Sequence, residues 1–125
     1  YNWLTRGYDS NELHLWDSSP THYGYYDLAN KDWSAPRGKG FTPTVDAVTT
    51  NVLALYLLTQ EEKYLNRLRK LGNNMIDHLA ASIDEPTVKM GMIEKYNNDW
   101  SYKQSGWGWD DGDAGHVLKA GWSLG

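Results

Sequence analysis

Apolar residues recur at helical spacing in the middle of the chain and predict two helices joined by a short polar connection. The first covers about 43–59, where Thr42 provides a cap residue and proline follows at the first helical position. Its apolar residues cover most of its circumference, which is typical of a buried helix. The second, about 61–81, is apolar on one face and therefore packs on one side. Gly72 within it argues against a single straight helix, because glycine costs up to about 1 kcal/mol relative to alanine.

The segments around these two helices show less regular patterns. Residues 1–43 carry little periodicity, apart from an aromatic run at 22–28 that favours a short strand. A loop without an apolar anchor follows at 35–40, and loops of this kind are often functional. Residues 88–96 favour another short strand. A further apolar helix is predicted to begin at about Gly115.

A buried helix, a helix buried on one side and a second buried helix predict an all-α fold of concentric helical layers. The loops at one end of such layers then carry the chemistry. Three helices cannot close such a ring. The sequence also begins without methionine and ends about ten residues into a helix. We therefore expect residues 1–125 to be part of one helical domain in a longer chain.

Composition excludes several classes of function. A net charge of −4 without a local cluster of lysine and arginine argues against nucleic acid or an anionic membrane as the partner. No apolar run approaches the roughly 20 residues of a membrane span, so we expect a soluble protein, either cytoplasmic or exported. The chain has no cysteine, and no histidine pair has zinc-ligand spacing. We expect neither a metal nor a cofactor, and the oligomeric state stays open.

The stretch from 107 to 116 concentrates the candidate chemistry. It holds two tryptophans, three aspartates and a histidine between glycines: Trp107, Trp109, Asp110, Asp111, Asp113 and His116. Aromatic faces, carboxylate acceptors and a group that titrates near neutrality are what a site for a polyol needs. Seven Trp and nine Tyr against one Phe also favour a groove lined by amphipathic rings, although such rings also fill gaps between helices.

Three stretches resemble the N-acylglucosamine 2-epimerase family. Tyr25-Tyr-Asp-Leu28, followed by Lys39 before a buried helix, looks like the family's substrate-side stretch. The residues 59–65 resemble the helix junction of (α/α)6 barrels in general. The run Gly-His-Val-Leu-Lys-Ala-Gly-Trp-Ser-Leu at 115–124 resembles a Gly-His motif that opens a helix with its histidine at the sugar. Together these stretches cover most of residues 23–125 in the family's order.

The resemblance implies a segment of an (α/α)6 barrel and an enzyme that epimerises or isomerises sugars. Such enzymes transfer a proton next to the sugar carbonyl carbon by means of histidine, and the substrate here would be a mono- or oligosaccharide. His116 takes the position of a catalytic histidine. The substrate contacts expected around it are Trp107, Trp109, Asp110, Asp111, His22, Tyr25 and Lys39. Where the family has glutamate three residues after the histidine, this chain has Lys119.

Two other functions fit the same residues. Asp110 and Asp111 resemble the consecutive aspartates of some (α/α)6 glycoside hydrolases, and neighbouring carboxyls on a bent loop can reach the roughly 5–9 Å separation that such hydrolysis needs. A lyase on the same barrel is the related alternative. The third possibility is a non-catalytic glycan-binding or structural helical module. In that case the aspartates cap a helix, His116 bonds to a backbone carbonyl, and the tryptophans bind glycan or pack.

Overall fold

The computed structural model describes residues 2–47, 51–84, 92–102 and 113–125. The α-helices in these ranges are α1 (Asn2–His14), α2 (Leu53–Thr59), α3 (Glu62–Asn74) and α4 (Ala114–Leu124). The strands are two residues long each: β1 (Trp16–Asp17), β2 (Gly24–Tyr25), β3 (Lys39–Gly40) and β4 (Lys95–Tyr96).

The predicted helix at 43–59 is helical in both of its described parts. The first described part opens directly after Phe41 in π-helical geometry over Thr42–Asp46, with proline in its first turn, and the second described part includes α2. It ends at Gln60, whose backbone is left-handed with φ of 57° and whose N–H donates to the Tyr56 carbonyl. Val45, Val52 and Leu55 are almost completely buried, as the apolar pattern predicted.

The second helix is also confirmed, with a change of geometry near its end. After α3 the chain continues through a π-helical turn over Met75–Leu79 and a 3-10 segment over Ala80–Asp84. The change begins three residues after Gly72, so the helix is not uniform, as the glycine indicated. Tyr64 and Leu71 are buried, which agrees with packing on one side only.

The weak periodicity at the amino end did not predict the helix that the structure has there. Asn2–His14 is a helix in which Tyr8 is the buried residue, and the Tyr8 and Tyr64 rings pack edge to face with centroids 4.9 Å apart. Local apolar periodicity is weak here, because Tyr8 is the buried residue of α1 and packs against α3. Tertiary packing therefore stabilises a helix that its own sequence pattern does not predict.

Two small antiparallel ladders connect the helices. β1 pairs with β2, so the predicted strand at 22–28 is confirmed only over two residues. β3 pairs with β4 in the register Lys39 to Tyr96 and Gly40 to Lys95, and the loop predicted at 35–40 therefore ends as a strand. The β3–β4 ladder places residues 38–41 beside 93–96, and the first turn of α4 lies next to both. None of the helices in the described ranges has the length and apolar character that crossing a membrane requires.

Candidate functional site

His116 lies in the first turn of α4, as the sequence predicted. Asp113 caps this helix: its side chain accepts a hydrogen bond of 2.6 Å from the Gly115 backbone N–H. Its carbonyl accepts a further bond of 2.9 Å from the His116 backbone N–H. The cap is the local reason why the chain turns helical here, since it satisfies donors that the helix itself cannot.

The His116 imidazole is held on one face and at one nitrogen. Its ring stacks on Phe41 with centroids 4.2 Å apart and planes inclined by 18°. Its Nδ1 lies 2.7 Å from Oε1 of Glu94. The side chain is 44% exposed, whereas that of Glu94 is only 14% exposed. The imidazole is therefore fixed in position and remains accessible to a ligand.

Lys119 occupies the position three residues after His116, and its charge is compensated. Its ammonium group forms an ion pair with Asp46, in the π-helical segment that precedes α2. Both side chains are more than a third exposed. The Lys119 ammonium group thus joins two neighbouring helical elements.

A cavity of about 320 Å³ opens beside the same π-helical segment. Its wall is built from the end of α1, the residues around β2 and helical residues within 42–47 and at 51: Asn11, Leu15, Tyr25, Tyr26, Asp27, Thr42, Pro43, Asp46, Ala47 and Asn51. The wall is mixed in character, with two tyrosines, two carboxylates and two amides. Thr42 follows the residue that stacks on His116, and Asp46 is the partner of Lys119, so the cavity adjoins the helical turn that holds the imidazole.

One buried acceptor in the cavity wall lacks a hydrogen-bond donor. The Asn51 amide nitrogen donates to the Leu4 carbonyl at 3.4 Å, but its buried Oδ1 has no partner in the described structure. Buried polar atoms are normally paired, so this oxygen is an exception among the described residues.

Lys39, a predicted substrate contact, is an internal residue. It is 1% exposed, and its ammonium donates to Asp17 at 2.7 Å and to the His22 carbonyl. Burial lowers the pKa of Lys39, and the hydrogen bond to Asp17 opposes that effect. His22 itself is exposed, and its Nδ1 lies 3.2 Å from the Thr21 hydroxyl. Substrate contact by either residue stays a prediction.

Tyr25, another predicted contact, lies in the core with 4% exposure while also lining the cavity. Its hydroxyl donates to Glu12, which also pairs with Arg67. Burial raises the pKa of Tyr25, and the Glu12 carboxylate raises it further. The phenol is thus already bonded within the fold, and its role toward a substrate stays a prediction.

Trp107, Trp109, Asp110 and Asp111 lie outside the described residues. Their predicted contacts with a sugar stay predictions. Among the described residues no group of three or more His, Asp or Glu side chains is arranged to hold a metal ion.

Sequence reasoning missed the three residues that hold His116 and Lys119. Phe41, Asp46 and Glu94 lie 75, 73 and 22 positions away from their partners along the chain. The sequence offers one signal for Glu94, an acidic residue directly after the buried pair Met92 and Ile93. Nothing local indicates that its carboxylate faces a histidine.

A second cavity, of about 380 Å³, was not anticipated. It lies between the end of the α3 helical stretch and the β4 region and is lined by Asp77, His78, Ala81, Ser82, Ile93, Tyr96, Trp100 and Tyr102. The His78 ring stacks on Trp100 with centroids 4.2 Å apart. The His78 side chain is half-buried against this tryptophan.

Known proteins resemble this chain in both sequence and fold. No family model matches it. The D-mannose isomerase of Marinomonas mediterranea is 28% identical over 120 residues, which is 94% of this chain and 27% of that protein. A crystal structure of D-mannose isomerase superposes with a TM-score of 0.65 at 21% identity, over 98% of this chain and 35% of the other.

These similarities confirm the fold class, an all-α segment of an (α/α)6 barrel. They also confirm the resemblance to the N-acylglucosamine 2-epimerase family, of which D-mannose isomerase is a member. The chain spans about a quarter to a third of the length of these relatives.

Proposed function

We propose that this chain supplies part of the active site of a sugar isomerase, and that His116 transfers the proton next to the sugar carbonyl carbon. The observation that carries the proposal is the similarity to D-mannose isomerase along 94% of the chain. The substrate class is a monosaccharide with a free carbonyl in its open-chain form. No cofactor enters the proposed reaction.

The position of His116 suits proton transfer. A neutral imidazole takes up a proton near neutral pH and returns it, so one group serves as base and then as acid. Its side chain is 44% exposed and is held by Phe41 and Glu94, which limits the orientations available to the ring. Preorganisation of this kind lowers the cost of bringing the base to its substrate.

The proposed reaction conserves atoms and electrons. His116 takes the proton from C2 of an open-chain aldose, the C–H electron pair forms a C1–C2 double bond, and the carbonyl electron pair moves to O1. O1 gains a proton while the O2 hydroxyl loses one. The proton on the imidazole exchanges with solvent, and the ring then delivers a proton to C1. The C1–C2 electron pair forms the new C–H bond while the O2–H electron pair forms the C2 carbonyl, and the ketose results. Because C1 and C2 of the planar intermediate share a face, one histidine suffices for isomerisation, whereas epimerisation at C2 needs delivery from the opposite face.

The polar cavity beside the π-helical segment fits the binding of a polyol. Asp27 and Asp46 provide carboxylates for sugar hydroxyls. The faces of Tyr25 and Tyr26 suit the apolar C–H faces of a sugar. We propose that the sugar binds in this cavity with its carbonyl end toward His116.

The test is isotope exchange in heavy water with the full-length protein and a panel of aldoses. We expect deuterium to enter beside the carbonyl carbon and a ketose to form, and we expect His116→Gln to abolish both. His14→Gln is the matched control, because His14 stacks on Trp33 and is not part of the site. It should retain activity.

Two results would overturn the proposal. The first is the absence of exchange with every aldose tested. The second is undiminished exchange in the folded His116→Gln protein. Release of reducing ends from a glycan, lost in Asp111→Asn but retained in His116→Gln, would instead establish the hydrolase.

A further inference from the structure

We infer that Glu94 is a positioning residue for His116, one that fixes the imidazole in the tautomer with hydrogen on Nδ1 and turns Nε2 toward the substrate. This inference rests on the proposed function for its catalytic consequence. The tautomer and the orientation of the ring are properties of the protein itself and can be measured without turnover.

The hydrogen-bond inventory at Glu94 determines which nitrogen carries the hydrogen. Oε1 accepts the Asp113 backbone N–H at 2.8 Å and lies 2.7 Å from Nδ1 of His116. A carboxylate offers acceptors only, so the imidazole must donate through Nδ1. In the neutral ring Nε2 is then the acceptor, and it has no partner within the described ranges. Nε2 is therefore the atom available to take a proton from a substrate.

The carboxylate is itself held in place. The Glu94 carbonyl accepts the Phe41 backbone N–H at 3.0 Å, and the preceding Ile93 N–H donates to the Ser82 hydroxyl at 2.7 Å. The Glu94 side chain is 14% exposed, so water competes weakly for its oxygens. A fixed acceptor restricts the ring more strongly than a mobile surface carboxylate would.

Phe41 and Glu94 restrain two different motions of the imidazole. The stacked Phe41 ring, 4.2 Å away, sets the plane of the imidazole. The bond to Glu94 determines which edge of the imidazole ring faces the carboxylate. Since the Phe41 backbone bonds to Glu94 as well, the two restraints form one unit. A 180° flip of the ring about its Cβ–Cγ bond would break the Nδ1 bond, and the flipped ring would place the carbon Cε1 where Nε2 had been.

Lys119 does not replace this carboxylate. Its position is the one from which the family's motif supplies a glutamate, yet its ammonium group is paired with Asp46. In this chain the carboxylate beside the histidine comes instead from the segment before β4. The arrangement therefore keeps an acidic partner for His116 although the helix itself carries a lysine.

A purely structural role is the competing explanation, because Glu94 also anchors the start of α4 through Asp113. The test therefore uses a readout that anchoring alone would not change. Nitrogen-15 NMR of the histidine rings in the full-length protein reports the tautomer, with His116 assigned by its absence in His116→Gln. The pH is set high enough for the imidazole to be neutral. Glu94→Gln, Glu94→Ala and the control Glu62→Gln are compared with the wild type.

We expect the wild type to show hydrogen on Nδ1 of His116. Glu94→Gln should retain this tautomer, because the amide oxygen still accepts, while Glu94→Ala should give a mixture. With an aldose as substrate, Glu94→Ala should lower kcat by about 10- to 100-fold with KM little changed, as for other histidines that lose an orienting partner. Glu94→Gln should recover part of that loss. Glu62 is exposed and paired with Arg69, so its variant should behave like the wild type.

Two outcomes would overturn the inference: hydrogen on Nε2 in the wild type, or an unchanged tautomer in Glu94→Ala. If Glu94→Ala does not fold, a Glu94→Gln protein with full kcat and hydrogen on Nε2 would overturn it equally. A wild type that shows the expected tautomer but exchanges deuterium into no aldose would support the positioning and overturn the proposed function.

Discussion

Lys39 is a charged residue placed inside the core. Its ammonium group makes a 2.7 Å ion pair with Asp17, whose side chain is 16% exposed. Burial by itself raises the pKa of Asp17, but the bonds from Lys39 and from the Ser19 N–H outweigh this effect and leave the pKa below its usual value. The pair therefore stabilises the charged carboxylate and helps to connect β1 with β3.

We predict that Lys39→Met destabilises the protein by about 3 kcal/mol, because a partly buried carboxylate and the His22 carbonyl both lose their donor. The measurement is urea denaturation of the full-length protein. Lys63→Met is the matched control, since Lys63 forms an exposed pair with Glu61 and its loss should change the midpoint little. Equal midpoints for the two variants would contradict the prediction.

His78 makes the stability of the protein depend on pH, and the groups around its ring determine the direction of that dependence. Burial lowers the pKa of His78 below its ordinary value of 6.5; the Asp77 charge opposes this effect, and Lys39 and His22 add to it. The unfolded chain therefore binds a proton at a higher pH than the folded chain does. The stability that the neutral ring contributes is complete above pH 6.5 and is lost as the pH falls from there through the folded-state pKa.

We predict that His78→Phe reduces the loss of stability on acidification, because phenylalanine keeps the stacking on Trp100 and has no proton to bind. The measurement is the thermal midpoint of both proteins from neutral pH downward through the range below 6.5. The thermal midpoint of the variant should fall less steeply over this range. Parallel curves for the two proteins would mean that His78 does not contribute to the pH dependence.

At the scale of elements, the β3–β4 ladder sets the position of Glu94. It requires a close approach at Gly40, where an added Cβ would lie 2.0 Å from the Glu94 carbonyl oxygen. The backbone at Gly40 has φ of 155°, which side chains rarely adopt. A glycine at this position therefore allows the strand to pass directly beside the residue that holds His116.

We predict that Gly40→Ala destabilises the protein by at least about 2 kcal/mol and lowers the proposed isomerase activity, because the clash displaces the Glu94 backbone. The matched substitution Gly72→Ala should stabilise the protein by about 0.5–1 kcal/mol, since nothing lies within 4 Å of the new Cβ in α3. Denaturation and deuterium exchange measured on both variants test this contrast. A neutral Gly40→Ala would show that the ladder adjusts without moving the site.

At the scale of the whole molecule, large apolar side chains are exposed on several of the described helices, α2 and α4 among them. Leu118 and Trp122, one turn apart on α4, are 76% and 70% exposed, and Leu57 and Leu58 on α2 are each 64% exposed. Single exposed apolar residues are ordinary on a protein surface. A pair of them on a helix of a barrel segment marks a face that an adjoining helix would cover. The similarity to proteins three to four times longer agrees with this interpretation.

We predict that residues 1–125 expressed alone self-associate and bind an apolar dye, and that Leu118→Gln with Trp122→Gln reduces both. In the full-length protein the same double substitution should lower stability, because covered side chains of this size contribute about 1.5–3 kcal/mol each. Light scattering and dye fluorescence test the fragment, and denaturation tests the full protein. A monomeric fragment without dye binding would contradict the prediction.

The sequence by itself determined the features that depend on neighbouring residues. Periodicity located α2, α3 and α4, and the Asp113 cap and the helix start at His116 follow from local backbone chemistry. Tertiary structure alone decided the partners of His116 and Lys119, the burial of Lys39 and the existence of α1. The physical reason is distance along the chain: a pattern shows which face of an element is apolar, whereas the fold determines which remote residue meets that face.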